Sequence, residues 1–83
     1  GYVYSMKGDI DKAIANYKAS LQYDQEDDRV YYRLGEAYEQ KGLYQEALAE
    51  YSRAYQINPD ARDAARKIPQ MRIRMLQQKH KGG

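Results

Sequence analysis

A shift of 34 residues lays this sequence on itself: Gly1 falls on Gly35, Tyr4 on Tyr38, Gly8 on Gly42, Ala13 on Ala47 and Tyr17 on Tyr51. The small and polar positions repeat as well, with Ser20 on Ala54 and Asp24 on Asn58. Such a period confines the chain to one supersecondary unit used repeatedly, because each unit leaves an apolar face that only a neighbouring unit can cover.

The local chemistry makes that unit a pair of helices. Asp27 or Asp28 is placed to cap a helix running through about Lys41, and Val30, Tyr31, Leu34, Ala37 and Tyr38 share one of its faces. Gly42 ends it. A second helix from about Tyr44 to Ile57 sets Ala47, Leu48, Tyr51, Ala54 and Tyr55 on its inner side, and Asn58-Pro59 stops it. So short a connection allows only an antiparallel pair. By the shift, Asp9 to about Tyr23 is the second helix of the preceding unit.

Composition agrees with helices and with little else. The chain has 83 residues, enough for one domain, and its apolar 42% includes ten Tyr and many Ala but no Phe or Trp. Bulky aliphatic residues are too few for a sandwich or a parallel sheet, so the core has to come from small and aromatic side chains at close helix contacts. A domain this small buries only about 60% of the surface its unfolded chain exposes, which predicts marginal stability. Cysteine is absent, which removes disulfides, thiolate metal ligands and cysteine nucleophiles. No apolar run approaches the ~18 residues of a membrane span. The compartment stays open, with the cytoplasm favoured.

The series Tyr31-x2-Leu34-Gly35-x2-Tyr38, then Gly42, Ala47, Tyr51, Ala54 and Pro59, resembles the tetratricopeptide repeat at its 34-residue period. The resemblance covers one complete unit, residues 28–61, and most of another, residues 1–27. Tyr31 stands where that family prefers Trp, and Gln25 where it prefers Pro. Gly35 and Ala47 are small where paired helices must approach closely, while Tyr38 and Tyr51 are large where gaps between hairpins need filling. The expected fold is all-α: antiparallel helix-turn-helix repeats stacked as a short α-solenoid with a C-terminal solvating helix.

Both ends depart from the repeat. Gly1 aligns with the middle of a first helix, so the leading helix is expected to have about seven residues, too few to hold alone. Either the chain is part of a longer protein, or self-association or exchange of helices between chains completes it, or the end simply frays. Beyond Asp60 the shift would put Pro69 at a close-contact position and Arg72 at a gap-filling one, so no third repeat is expected. Residues 62–81 instead form a capping helix with Ala61, Ala64, Ala65, Ile68, Met71 and Met75 along its apolar side. Pro69 should kink or split it near Ile68, and Gln77 to Gly83, including the tail 82–83, should fray.

Little in the sequence supports catalysis. His80 is the only histidine and lies near the C-terminal end with no acid after Asp63. There is no phosphate-binding glycine loop, no paired-histidine metal spacing and no serine in a nucleophile-elbow context. The acidic run Asp24 to Asp28 lacks the alternating ligands and glycine of a calcium loop, and capping explains it better. No enzymatic activity, cofactor or metal is expected.

Recognition is the expected role. In the family it resembles, the first helices of successive repeats line a concave groove that takes an extended peptide or a helix. The matching positions here are Arg29, Tyr32, Arg33, Glu36 and Gln40 in the complete unit and Tyr2, Ser5 and Met6 in the preceding one. Arg29 and Arg33, one turn apart, are able to converge on a carboxylate or phosphate. Their position before Leu34-Gly35 resembles the basic pair of the family's carboxylate-clamp members, which grip the acidic C-termini of heat-shock chaperones. That clamp also uses Lys and Asn residues of earlier repeats, without counterpart here, and pairing of Arg29 or Arg33 with Glu26 or Glu36 is the competing role.

Charge is divided along the chain. Residues 1–63 hold twelve acidic against eight basic residues, a net of −4, whereas residues 64–83 hold six basic residues and no acid. With no aromatic beyond Tyr55 for base stacking and the charges spread around a helix, neither nucleic acid nor membrane is expected as a partner. The expected partner is a protein or peptide, with a homo-oligomer or an accessory role in a larger enzyme as alternatives.

Overall fold

A computed structural model describes the backbone of residues 2–82 and the side chains of residues 8–78. Four helices follow one another: α1 (Tyr2–Tyr23), α2 (Asp28–Gln40), α3 (Tyr44–Ile57) and α4 (Arg62–Gly82). Each packs on its neighbours in sequence, α1 on α2, α2 on α3 and α3 on α4. The Cα extents of 39 × 29 × 17 Å describe a slab two helices thick.

The caps follow from local chemistry. Asp27 accepts a hydrogen bond from the Arg29 backbone N–H at 3.1 Å and so caps α2. At the other end Gly42 takes φ +80°, and two bonds close the helix: Gly42 N–H to Glu39 C=O at 3.0 Å and Leu43 N–H to Tyr38 C=O at 2.9 Å. That pair is the Schellman arrangement, which needs a left-handed residue where glycine alone is unstrained. The 34-residue period is visible even in the loops. Asp24 accepts from Glu26 N–H at 3.1 Å, and its shifted counterpart Asn58 accepts from Asp60 N–H at 3.0 Å.

Two clusters make the core. Ile14, Leu34 and Ala37 join α1 to α2, and Ala47, Tyr51 and Met71 join α3 to α4, with Tyr38 packed against both sets. Gly35 is buried as its size requires: a Cβ there would stand 2.8 Å from two ring carbons of Tyr51. Along α4, Ala64 and Met71 are buried and Ala61, Ala65, Ile68 and Met75 half-buried, which matches the expected apolar side.

Four expectations are corrected. Gly8, the counterpart of Gly42, does not break the chain: α1 is a single 22-residue helix through it. A glycine inside a helix costs about 1 kcal/mol, whereas turning back would need the buried contacts that α3 makes on α2. Pro69 does not split α4, which runs 21 residues without interruption. Its ring is on the exposed side, where water can take up the Ala65 carbonyl it leaves unpaired. The expected fraying from Gln77 is not observed either, since α4 extends to Gly82 and Gln78 donates to the Gly42 carbonyl at 2.9 Å. Finally, Tyr55 is 42% exposed and not part of the inner side of α3, because Ala47, Tyr51 and Ala54 already occupy the inward direction one helical step away.

Candidate functional site

One face of α2 carries the residues singled out from sequence, with Tyr32 at its edge also packed against the core. Arg29, Tyr32, Arg33, Glu36 and Gln40 are spaced by three, one, three and four, so they form one strip along the helix. Two surface clefts run beside that strip. The first, about 420 Å³, lies between α2 and the start of α4, with Arg29, Tyr32 and Arg33 on one wall and residues 60–64 on the other. The second, about 340 Å³, lies between α1 and α2 and includes Arg33, Glu36 and Gln40. Arg33 lines both, so the two clefts flank the same strip of α2. Tyr2, Ser5 and Met6 lie outside the residues whose side chains are described.

The two clefts differ in chemistry. The first is lined by three carboxylates, Asp28, Asp60 and Asp63, and three guanidinium groups, Arg29, Arg33 and Arg62, with both signs on each wall. Arg33 Nη1 is further engaged by Glu36 Oε1 at 3.2 Å, and Asp28 is held by Asn58, whose Nδ2 donates to it at 3.2 Å. A pair as exposed as Arg33 and Glu36 contributes little to stability and can open to a ligand. In the second cleft Ile10, Ala13, Tyr17 and Ala37 supply an apolar floor, rimmed by Asp9, Arg33 and Glu36. A ligand lying along α2 would meet mixed charge at one end and an apolar seat at the other.

Tyr32 belongs partly to the core. Its ring sits 5.5 Å from that of Tyr51 at an interplanar angle of 53°, a favourable tilted pair. Burial, and then the neighbouring Glu36 carboxylate, raise its phenol above the ordinary tyrosine range, so it stays a neutral donor at the cleft wall.

Behind the strip lies a junction of three helices. Glu39 Oε1 on α2 accepts from the Tyr51 hydroxyl of α3 at 2.8 Å and from Lys67 Nζ of α4 at 3.4 Å. Burial, and then the bond to Glu39, push the Tyr51 phenol well above its usual range. Lys41 on the α2–α3 turn pairs with Asp11 of α1. These bonds hold α2 in place from both sides.

Sequence reasoning missed half of each cleft. Asp9, Ile10, Ala13 and Tyr17 of α1, and Asp60, Arg62 and Asp63 before and within α4, face α2 across the gaps. Ala13 and Tyr17 were visible as repeat positions matched to Ala47 and Tyr51, and that match carried their packing role only.

Comparison with known proteins gives a consistent picture. The family model described as TPR repeat matches residues 1–42, and the one described as tetratricopeptide repeat matches residues 28–61. Superkiller complex protein 3 of Homo sapiens is 34% identical over 61 residues, covering 74% of this chain and 4% of that protein. The BBSome complex member BBS4 of Bos taurus is 34% identical over 59 residues, covering 71% of this chain and 11% of its own length. Tetratricopeptide repeat protein 37 of Xenopus laevis is 34% identical over 61 residues, covering 74% and 4%. The chain thus spans a small part of each of these relatives.

Proposed function

This chain belongs to the tetratricopeptide repeat family, whose repeats generally mediate protein–protein interaction, and we infer that it binds a peptide or helix of a partner along α2. Members of the family are typically scaffolds without enzymatic activity. The observation that carries the reading is that two clefts flank the exposed strip of α2 and share Arg33 as a lining residue. Arg29, Tyr32, Arg33, Glu36 and Gln40 are the proposed contacts, with an apolar anchor of the ligand seated on Ile10, Ala13 and Tyr17. Two of the similar proteins are named for complexes they belong to, which fits a module that joins assemblies.

The balance of three acids and three arginines in the first cleft favours a ligand of mixed charge over a purely acidic one. A second reading, self-assembly by exchange of helices, draws on the uninterrupted course of α1 through Gly8, an opened form of the kind that exchanging chains use. Light scattering over a concentration series decides it, since a strict monomer at every concentration removes that reading.

Panning a random peptide library on the intact chain tests the groove. Selected peptides should lose about tenfold or more in affinity when Tyr32→Ala or Arg33→Ala is introduced. Peptides indifferent to both substitutions would remove α2 as the binding face.

A further inference from the structure

The side of α4 that faces away from α3 has no function in the packing of this domain. Ile73 and Leu76 are 54% and 58% exposed there, the most exposed large aliphatic side chains among the described residues. Pro69 precedes them by four and seven positions and is exposed too, so an apolar stripe runs along this side. Arg66, Arg72 and Arg74, all exposed, surround it, and no acidic residue follows Asp63.

The surface between these groups is indented. A shallow cleft of about 330 Å³ is lined by Gln70, Ile73, Arg74 and Gln77. Their positions, i, i+3, i+4 and i+7, are those of a seam along which a second helix lies. The amides of Gln70 and Gln77 offer donors and acceptors at each end, and Arg74 offers a fork for a carboxylate.

A further repeat of the same kind does not fit this seam. The 34-residue shift puts Pro69 at the place of Gly35, where even a single Cβ would come within 2.8 Å of the tyrosine ring of the packed helix. The same shift puts Arg72 at the place of Tyr38. A membrane fits poorly as well, because two aliphatic side chains flanked by glutamine amides offer little surface to insert.

We propose that the outer side of α4, through Ile73 and Leu76 with Arg66 and Arg74, docks an acidic amphipathic helix of a partner protein. Aliphatic side chains of that helix sit on Ile73 and Leu76, and its carboxylates meet the guanidinium groups. The site is separate from the clefts beside α2, so either is able to bind while the other fails.

The test uses the intact chain and a synthetic helical peptide about three heptads long with Leu at the a and d positions and Glu elsewhere. Amide resonances of Gln70, Ile73, Arg74 and Gln77 should shift on titration, and added salt should weaken binding. Ile73→Ser with Leu76→Ser, and separately Arg66→Glu with Arg74→Glu, should each lower affinity about tenfold or more. Both pairs lie on the exposed side, and an unchanged helical circular dichroism spectrum verifies that they fold. A peptide with Lys in place of every Glu should not bind. The proposal is overturned if the acidic peptide causes no shifts, if its shifts map to Arg29 and Tyr32, or if both variants bind as the parent does. It is equally overturned if the serine variant abolishes self-association of the chain, or its binding to phosphatidylserine vesicles, while the peptide fails to bind.

Discussion

Gly35 and Tyr51 meet so closely that one added carbon does not fit: a Cβ at Gly35 would lie 2.8 Å from ring carbons Cδ1 and Cε1 of Tyr51. The ring cannot yield easily, because Tyr51 is fully buried and its hydroxyl is tied to Glu39. Gly8 and Gly42 stand in different circumstances. Gly8 has nothing within 4 Å of such a carbon, and Gly42 has open space but a φ of +80°.

Alanine substitution should therefore separate the three. Gly35→Ala should lose about 1–2 kcal/mol, since overpacking outweighs the gain in helix propensity. Gly42→Ala should lose about 1 kcal/mol through left-handed strain. Gly8→Ala should gain about 0.5–1 kcal/mol as an interior helix position. Urea denaturation followed by circular dichroism measures all three, and a loss at Gly8 would contradict the continuous course of α1.

The hydroxyl of Tyr51 gives a second prediction. Tyr51→Phe removes the donor to Glu39 and should cost about 1 kcal/mol at neutral pH. Because burial raises the folded phenol above the ordinary tyrosine value of 10.0, the protonated form is the one the fold prefers. The advantage of the parent over the phenylalanine variant is complete below that pH and fades as pH rises beyond it. Thermal melts at neutral and strongly alkaline pH compare the two, and a gap that widens with pH would refute the assignment.

Glu50 on α3 behaves in the opposite way to a paired carboxylate. Burial raises it above 4.5, more than the nearby Lys18 and Arg53 lower it. A raised acid stabilises the fold only while protonated, so its contribution is present below pH 4.5 and is lost as pH rises through the folded value. Glu50→Gln should consequently be more stable than the parent at neutral pH and indistinguishable from it under acid conditions. A melting temperature that falls at neutral pH would show that the ion pairs outweigh burial.

The clefts also predict how a free carboxy terminus is treated. Asp28, Asp60 and Asp63 oppose an anion beside Arg29, and Glu36 already occupies Arg33. A short peptide ending in consecutive glutamates and its amidated twin should bind with equal, weak affinity, unaltered by Arg29→Ala. Marked preference for the free acid in calorimetric titration would establish a carboxylate clamp instead.

The repeat, the helix ends at Asp27, Gly42 and Asn58, and the inward positions Leu34, Ala47 and Met71 follow from sequence alone, because period, capping and the size of a side chain act over a few residues. Gly8 and Gly42 are identical by that local measure, and only the packing of α3 on α2 makes one a turn and leaves the other within a helix. The same holds for function. The strip on α2 was legible from helical spacing, but its opposing walls come from α1 and α4, distant in sequence. Which charges face one another across a gap is set by how helices stack, and that is information no single helix contains.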